Sequence, residues 1–509
     1  MGPVNEHRTT AEDRGVDLLA APDGRVSTSA VARTVVEAAL AAVDPEAAAR
    51  TALVRDWRRG YTGPYRDLVM AGARSADAAD AVARTGLASL NENSRFHRYG
   101  ESLSLQDAIT RWATPAYESV TIEGHAGRDT GLTVPYGGRR LFGPDVRRRL
   151  ESWVDEGVVE PGFATSITEV LDNPEWLDLS DVTVVVLGAG AEMGPLRSLL
   201  RWGAHVIAVD LPRPEVWTRV MAVARSSAGR LTVPVPIGSL PAGIDPTDDA
   251  IASVAGVDLI RSLPEVHSWI AQIPGPFTLG TYTYADGATH VRVALAADAL
   301  GQSLVSARDD VGLAFLATPT DVYAVPLGAV EESRRRWDSR GLSGIAQLPL
   351  RATGRFAPNY PDTINTDHGQ MGVADCLVAQ QGPNYALAKR LQRWRATQSR
   401  RDGLWTSLNI APATRTRSVV KNRALAAAYS GAHRFGVEVF EPAMSNTLMA
   451  ALLVRDMRSP DSLARPDADV AHPDLAWAHQ AAHGGLWRSA YAPRSVLGIA
   501  AALGLVTRG

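Results

Sequence analysis

The sequence has very few cysteines and lysines: in 509 residues it contains one cysteine, Cys376, and two lysines, Lys389 and Lys421. A single cysteine excludes an intrachain disulfide framework and any CxxC metal site, and it fits a reducing compartment. Apolar runs long enough to cross a bilayer are missing too, because the run at 496–506 is too short and predicts a buried helix. The first thirty residues are acidic and lack an apolar signal segment, so we expect a cytoplasmic protein without a membrane span.

Neither sign of charge predominates in the sequence. The formal net charge is -3, and the arginine clusters are short and flanked by acids, so we expect no nucleic-acid partner. Hydrophobic residues make up 45% of the chain, close to the average of folded proteins, and the length predicts about three structural units. The partner that we expect is a small-molecule substrate. The sequence leaves open whether the protein forms a homo-oligomer.

Composition and periodicity divide the chain into four segments. Residues 1–27 are polar and predict a flexible lead, and residues 28–176 show the apolar spacing of helices. Between 177 and 455 short apolar runs alternate with helical patterns, which indicates βαβ units around a Gly- and Pro-rich insertion or lid at 326–375. Residues 456–509 predict a C-terminal helical segment. The predicted fold class is α/β, a doubly wound parallel Rossmann sheet with an additional N-terminal, mainly helical domain.

A glycine-rich turn follows the first predicted core strand, at 183–187. Glycines in such a turn let main-chain N–H groups approach a pyrophosphate, which the positive end of a following helix, here predicted at 195–202, also attracts. The last glycine would let this helix pack closely on the strand. The spacing is GxGxxxG, one residue longer than GxGxxG. The residues expected to bind the cofactor here are Gly188, Ala189, Gly190, Glu192, Met193 and Gly194.

An acidic residue ends the next predicted strand, at 205–209. Asp210 lies twenty residues after Gly190, the spacing at which a carboxylate accepts hydrogen bonds from the adenosine ribose and repels a 2'-phosphate. NAD is therefore the expected cofactor. Arg213 can pair with a phosphate, so NADP remains an alternative. Methyltransferases that use S-adenosylmethionine share this geometry, but they usually carry an acid within the first strand, where this chain has valines.

Tyr385 and Lys389 lie four residues apart in a predicted helix at 383–396, which places both side chains on one face. Reduction of a ketone needs a proton donor beside the carbonyl oxygen. A tyrosine becomes suitable for this role when a neighbouring cation lowers its pKa. Lysine, unlike arginine, is a compact charge whose own pKa can move, which gives a reason for a lysine here in a chain with 50 arginines.

Together these motifs resemble the short-chain dehydrogenase/reductase family, which pairs a glycine-rich turn with a YxxxK helix and a later strand that ends in a Pro-Gly and Thr segment. Residues 408–416 are similar to that segment, with Ala413 in place of glycine, and the resemblance implies that Pro412, Thr414 and Thr416 contact the cofactor. The turn at 283–287 resembles, more loosely, the Asn-Asn-Ala-Gly turn of the family.

Two departures from the family pattern matter. The tyrosine lies about fifty residues farther from the glycine turn than in the family, which requires the insertion at 326–375. Gly372 occupies the position of the catalytic serine, so Thr318 or Thr320 would take that role.

The leading hypothesis is an NAD(P)-dependent oxidoreductase that acts on a carbonyl/alcohol pair. The alternatives are a non-catalytic nucleotide-binding sensor or scaffold and, third, a methyltransferase. No metal is expected, because His290, His368 and His433 lack metal-ligand spacing. Lys421 is predicted to be a surface cation. The alternative is that it binds a phosphate or an acid of the substrate.

Overall fold

The computed structural model describes residues 14–20, 26–241, 243, 245–367 and 369–506. Its strands, in chain order, are β1 (Gly15–Leu18), β2 (Ser94–Arg98), β3 (Glu101–Leu103), β4 (Tyr117–Glu123), β5 (Thr133–Tyr136), β6 (Arg139–Phe142), β7 (Thr183–Leu187), β8 (His205–Val209), β9 (Arg230–Pro236), β10 (Phe277–Thr281), β11 (Val311–Ala317), β12 (Val322–Pro326), β13 (Thr363–Thr366), β14 (Gly369–Asp375) and β15 (Thr406–Ile410).

The helices of the first half connect and cover these strands. They are α1 (Thr28–Ala41), α2 (Pro45–Ala52), α3 (Trp57–Gly60), α4 (Thr62–Gly72), α5 (Ala76–Glu92), α6 (Leu105–Trp112), α7 (Pro144–Asp155), α8 (Pro161–Asp172), α9 (Leu196–Arg201), α10 (Pro214–Arg225), α11 (Asp248–Val254), α12 (Leu263–Ala271) and α13 (Ala288–Ala307).

The second half continues with α14 (Leu327–Asp338), α15 (Gly341–Ala346), α16 (Leu348–Arg351), α17 (Pro383–Arg401), α18 (Arg417–Lys421), α19 (Arg423–Gly431), α20 (Pro442–Arg458), α21 (Pro473–His479) and α22 (Pro493–Val506). Short 3-10 helices lie at Pro174–Leu177, Ala379–Gln381 and Ala432–Phe435.

The central sheet has the strand order β15-β11-β10-β7-β8-β9-β4. Neighbouring strands from β15 to β9 run parallel, and β4 pairs antiparallel with β9 at the edge. In the central register Val184 lies between Val206 and Thr278. The α/β class and the mostly parallel sheet predicted from the sequence are confirmed, and the runs at 183–187 and 205–209 are strands with those bounds.

Both faces of the sheet are covered, which explains why its strands are apolar runs without alternation. On one face Val184 and Val186 pack into a core shared with α8, α10 and α20. On the other face Val185 and Leu187 pack into a core shared with α12, α13 and α17. Successive side chains of a strand point to opposite faces, so one run of residues serves both cores.

The N-terminal helices share a core with the sheet. Side chains of α1, α4 and α5, among them Val35, Leu68 and Leu87, belong to the same continuous cluster as Leu187 of β7. The region 28–176 also contributes β4 to the central sheet. The boundary predicted at 176 therefore does not separate two hydrophobic cores.

The predicted flexible lead at 1–27 is wrong where the structure describes it, because Gly15–Leu18 is a buried strand that pairs with β2. Asp17 interrupts the apolar run at 15–18, so the sequence pattern did not indicate a strand there. Its carboxylate is 2.9 Å from the Arg292 guanidinium and accepts a hydrogen bond from the Leu18 N–H, which compensates its burial. Residues 1–13 and 21–25 lie outside the described residues.

The C-terminal run at 496–506 is a helix, but it is not buried throughout. Val496, Ala500 and Gly504 face the protein, whereas Leu505 is 64% exposed. The helix therefore lies on the surface with one face against α19. In the described part of the chain, no helix combines the length and apolar character that a bilayer crossing requires.

Candidate functional site

A cavity of about 960 Å³ opens at the carboxyl ends of the parallel strands. The segments that follow β7, β8, β10, β11 and β15 all contribute to its wall. Ligands of open parallel sheets bind at this edge, where the chain crosses from one side of the sheet to the other. Here the crossing lies between β7 and β10, which are neighbours in the sheet but far apart in sequence.

The turn after β7 requires glycine at its first position. Gly188 has a φ of +88°, and a Cβ there would lie 2.9 Å from the main-chain oxygen of Tyr282. The Gly188 N–H donates to the Val209 carbonyl at 2.8 Å, which attaches the turn to β8. The turn is therefore held against the second strand of the predicted nucleotide site.

Most main-chain amides of this turn are already used. The Ala189 N–H donates to the Val209 carbonyl at 3.2 Å, and Ala189 does not line the cavity, so this N–H is not open to a ligand there. The Gly190 N–H donates to Asp210. Within the described residues, Glu192 and Met193 keep main-chain N–H groups without a protein acceptor, and both residues line the cavity.

Gly194 does not have the role predicted for it. A Cβ at this position would lie 3.5 Å from the Ala191 oxygen, an ordinary contact, so helix packing does not require glycine here. The Gly194 carbonyl instead accepts a hydrogen bond from the Asn446 side chain. The following helix, α9, begins at Leu196, one residue later than predicted.

The acid predicted to meet a ribose faces the turn. Asp210 accepts hydrogen bonds from the Gly190 N–H at 2.7 Å and from the Leu211 N–H at 2.8 Å, and its two oxygens have further lone pairs. Arg213 lines the same end of the cavity, as predicted. Arg219 lines it too and was missed, because only the path of α10 shows that its side chain returns to the turn.

Tyr385 and Lys389 both line the cavity from α17. Thr318, directly after β11, also lines the cavity, and its side chain lowers the pKa of Tyr385. The Thr318 hydroxyl lies 2.9 Å from that of Thr320, which accepts a hydrogen bond of 2.5 Å from Gln381. Of the two candidate threonines, Thr318 is the one whose side chain acts on the tyrosine.

The electrostatics of this pair differ from the expectation that Lys389 lowers the pKa of Tyr385. Burial raises the pKa of Tyr385 well above its ordinary value, and the hydrogen bond with Thr318 offsets this only in part. The ammonium of Lys389 donates to the Leu316 carbonyl at 3.2 Å and to Gln392 at 3.1 Å. Burial also lowers the pKa of Lys389 to about 8.

A histidine that the sequence did not single out as functional lies beside the tyrosine. The ring of His290 is 5.4 Å from that of Tyr385 and 5.2 Å from that of Tyr284. Burial, together with the charge of Lys389, lowers the pKa of His290 to about 3, so its imidazole is neutral near pH 7. Its spacing from Tyr385 in the sequence gave no signal, because α13 and α17 meet only in the fold.

The segment after β15 lines the cavity at Pro412, Thr414 and Thr416, as predicted. The Thr414 hydroxyl is committed within the protein, since it donates to the Pro412 carbonyl at 2.9 Å and lies 2.6 Å from the Ser445 hydroxyl. Residues 283–286, which follow β10, line the opposite wall.

An ion pair spans the rim of the cavity at the glycine turn. The Arg417 guanidinium is 2.6 Å from the Glu192 carboxylate, which also accepts the Arg417 main-chain N–H at 2.8 Å. Lys421, on the same short helix, is exposed and also lines the rim. Glu192 is therefore held by α18 through its side chain, whereas its N–H has no acceptor among the described residues.

The expectation of a lid at 326–375 is wrong for the described residues of that segment, because none of them lines the cavity. They form the antiparallel sheet β12-β14-β13 with α14, α15 and α16, and Val330 and Met371 are buried there. The adjoining wall comes instead from Cys376, Val378 and Gln381. The irregular pattern of Gly and Pro reflects the turns of a small folded unit.

The other histidines add no metal site. His433 is exposed, and His368 lies outside the described residues. In the portion that the structure describes, no three His, Cys, Asp or Glu side chains are grouped as a metal site requires.

No protein-family model matches the chain, and no curated protein matches it.

Proposed function

We propose that this protein is an NAD(P)-dependent oxidoreductase that reduces a carbonyl group, with Tyr385 as the proton donor. The observation that carries the proposal is that one cavity brings together the glycine turn, Asp210, Thr318, Tyr385 and Lys389, which span some 200 residues of sequence. Polar groups that converge in one large cavity are the usual mark of an active site.

The strand order supports a dinucleotide site. Numbered from β7, the parallel strands lie in the order third, second, first, fourth, fifth, sixth, which is the order typical of Rossmann folds. In those folds the dinucleotide lies across the ends of the first and fourth strands. Those are β7 and β10 here, and the cavity opens at their ends.

The residues at this end of the cavity fit a dinucleotide. The N–H groups of Glu192 and Met193 would donate to a diphosphate, and Asp210 has lone pairs left for ribose hydroxyls. Val216 and Val257 supply apolar wall for a flat base. The nicotinamide of such a cofactor would supply a hydride to the carbonyl carbon of the substrate.

The protein's own residues supply the proton and its orientation. The raised pKa of Tyr385 keeps its hydroxyl protonated near pH 7, so it is available as a donor to a carbonyl oxygen, although the same burial makes it a weaker acid than a tyrosine whose pKa a cation lowers. The side chain of Thr318 offsets part of this rise in the pKa of Tyr385. An ammonium has three N–H donors, and the protein accepts two from Lys389, so one remains for a ribose hydroxyl.

The resemblance to the short-chain dehydrogenase/reductase family supports the same assignment. Thr318 directly follows the fifth parallel strand, Tyr385 and Lys389 lie on the helix that precedes the sixth strand, and Pro412 comes after the sixth strand; β12–β14 and α14–α16 are inserted between Thr318 and that helix. In that family the catalytic serine, the YxxxK helix and the Pro-Gly segment follow this order. Threonine would replace serine here, with a hydroxyl in the equivalent role.

The test is the variant Tyr385→Phe, with Tyr117→Phe as its control. Tyr117 is half-buried outside the cavity and its hydroxyl lies 3.4 Å from that of Ser262. We expect NADH to raise the melting temperature of all three proteins equally. Turnover on a panel of ketones, followed by loss of NADH, should fall about a hundredfold or more in Tyr385→Phe alone.

Three results would overturn the proposal. One is stabilisation by S-adenosylmethionine with none by NADH, which would indicate a methyltransferase. Another is binding of NADH without oxidation of NADH by any ketone in the panel, which would indicate a sensor or scaffold. The third is full turnover in Tyr385→Phe.

A further inference from the structure

The cavity extends from Tyr385 into a space that a bound dinucleotide would leave unoccupied. We call this space the apolar chamber and define it by Leu425, Ala428, Phe435, Val437, Val496 and Leu497. It is connected to the proposed reaction centre, because Tyr385, Tyr429 and these residues line one continuous cavity.

Two helices build the roof of the chamber. Where α19 and α22 touch, both carry glycine: a Cβ on Gly431 would collide with the Ala500 carbonyl, and a Cβ on Gly504 with the Ala427 carbonyl. Where the same helices face the cavity, they carry larger apolar side chains such as Leu425 and Leu497. The close approach of the helices fixes the roof, so the space below it is a shaped part of the fold.

The chamber offers nothing to a charged ligand. Among the described lining residues of 425–439 and 486–500, none is charged. The Ser489 hydroxyl donates to the Phe435 carbonyl at 3.1 Å, and the Tyr491 hydroxyl donates to Gln347 at 3.0 Å, so these polar atoms are already satisfied. Apart from the Tyr429 hydroxyl, the described lining residues of these two segments offer a polar ligand no free side-chain partner in exchange for its hydration.

Charged groups line the other parts of the cavity. Asp210, Arg213 and Arg219 lie at the end of the glycine turn, and Arg417 and Lys421 lie at the rim. The cavity is thus polar where a dinucleotide would bind and apolar on the other side of the Tyr385 hydroxyl. The apolar chamber is the part of the cavity that a dinucleotide at the glycine turn would leave free for the body of a substrate.

We infer that the substrate of this protein is a ketone whose carbonyl is attached to a large apolar body, and that this body occupies the apolar chamber. This inference rests on the proposed reductase function, because it is Tyr385 that selects the carbonyl. The chamber sets specificity by removing hydrocarbon from water, so affinity should grow with the apolar size of the substrate.

Calorimetric titration of the full chain with 2-butanone, 2-octanone and 2-dodecanone, without cofactor, tests the chamber by itself. Burial of one methylene is worth about 0.8 kcal/mol, so we expect about a fourfold gain in affinity for each added methylene until the chamber is filled. A flat series, in which the three ketones bind equally weakly, would overturn the inference.

Two variants and a control localise the binding. Ala428→Trp should fill the chamber and weaken the binding of 2-dodecanone at least tenfold, with the NADH-induced rise in melting temperature unchanged. Leu497→Ala, which removes wall without adding bulk, should weaken it about threefold or more and serves if Ala428→Trp does not fold. The control is Leu505→Ala, on the exposed face of the same helix, which should bind as the unaltered protein does.

The outcomes separate this inference from the proposed function. If NADH binds and long ketones gain no affinity, or if folded Ala428→Trp binds 2-dodecanone normally, the chamber assignment is overturned and the reductase proposal stands. If long ketones bind in the chamber and NADH does not bind at all, the reductase proposal falls and the apolar site stands.

Discussion

The carboxylate of Asp210 accepts a hydrogen bond of 2.7 Å from the main-chain N–H of Gly190, which lies twenty residues earlier in the chain. This bond joins the turn after β7 to the end of β8. It orients the carboxylate toward the place where the sugar of a nucleotide would lie, and it removes one N–H from the set that can reach a diphosphate. The two motifs found separately in the sequence therefore form one unit.

The first prediction concerns the choice between NADH and NADPH. Asp210→Asn keeps an acceptor for the Gly190 N–H but removes the charge that repels a 2'-phosphate, while Arg213 and Arg219 remain. We expect the ratio of the two dissociation constants to shift about tenfold or more toward NADPH, measured by fluorescence titration. Asp248→Asn, which alters an exposed acid outside the cavity, should leave the ratio unchanged, and an equal effect of both variants would argue against a nucleotide at Asp210.

The second prediction is that Lys389→Met gains stability and loses cofactor affinity. Burial lowers the pKa of Lys389 from 10.5 to about 8, so the folded state bears the cost of a buried charge at pH 7, and this cost is relieved as the pH rises from 8 toward 10.5. The variant should be about 2 kcal/mol more stable at pH 7, with this advantage shrinking toward pH 10.

Urea denaturation at several pH values measures this stability, and NADH titration measures the affinity, which should fall in the variant. Lys421→Met, which alters the exposed lysine, is the control for stability. A variant that gains stability and binds NADH as tightly as before would show that Lys389 does not contact the cofactor.

The third prediction concerns the ion pair at the rim. Glu192 lies in the turn that would hold a diphosphate, and Arg417 neutralises its charge. Arg417→Ala should weaken NADH binding several-fold, because the carboxylate then repels the phosphates, and Glu192→Gln should strengthen it about twofold. The double variant should resemble Glu192→Gln. These differences should shrink in high salt, and a loss of affinity in Glu192→Gln would contradict the idea.

The fourth prediction concerns acid stability. Although burial disfavours its charged form, hydrogen bonds from His483 and Arg488 lower the pKa of Glu160 from 4.5 to about 2. The stabilisation is therefore complete above pH 4.5 and is lost as the pH falls through about 2. Glu160→Gln should lower the free energy of unfolding at pH 7 by about 3 kcal/mol, because it leaves Arg488 partly uncompensated.

Urea denaturation at pH 7 and pH 3 measures this effect, and the difference from the unaltered protein should be smaller at pH 3. Glu46→Gln, on the exposed first turn of α2, should cost no more than about 1 kcal/mol at pH 7, because it removes only a charge at a helix N-terminus. An undiminished difference at pH 3 would place the contribution of Glu160 in packing rather than in its charge.

Local pattern was enough to predict the central strands β7 and β8 with their bounds. β7 and β8 are buried on both faces, so their sequences are unbroken apolar runs with clear ends. The four-residue spacing of Tyr385 and Lys389 placed both on one side of α17, and the cavity lies on that side.

What the pattern could not show depends on partners far away in the sequence. β4 has exposed, polar positions and is a strand because it pairs with β9, more than a hundred residues later. The hydrogen bond of the Ala189 N–H has the same origin, since its acceptor is Val209 of another strand. The raised pKa of Tyr385 follows from burial that no local spacing reveals.

The position of β4 limits how far the chain can be truncated from its N-terminal side. Its main chain satisfies the outer side of β9 along the full length of both strands. A fragment that starts at β7 would keep every residue of the proposed nucleotide site and yet expose a bare row of N–H and C=O groups. Such rows recruit other chains into intermolecular β pairing. The residues before the glycine turn thus protect the protein from aggregation, independently of any part they have in binding.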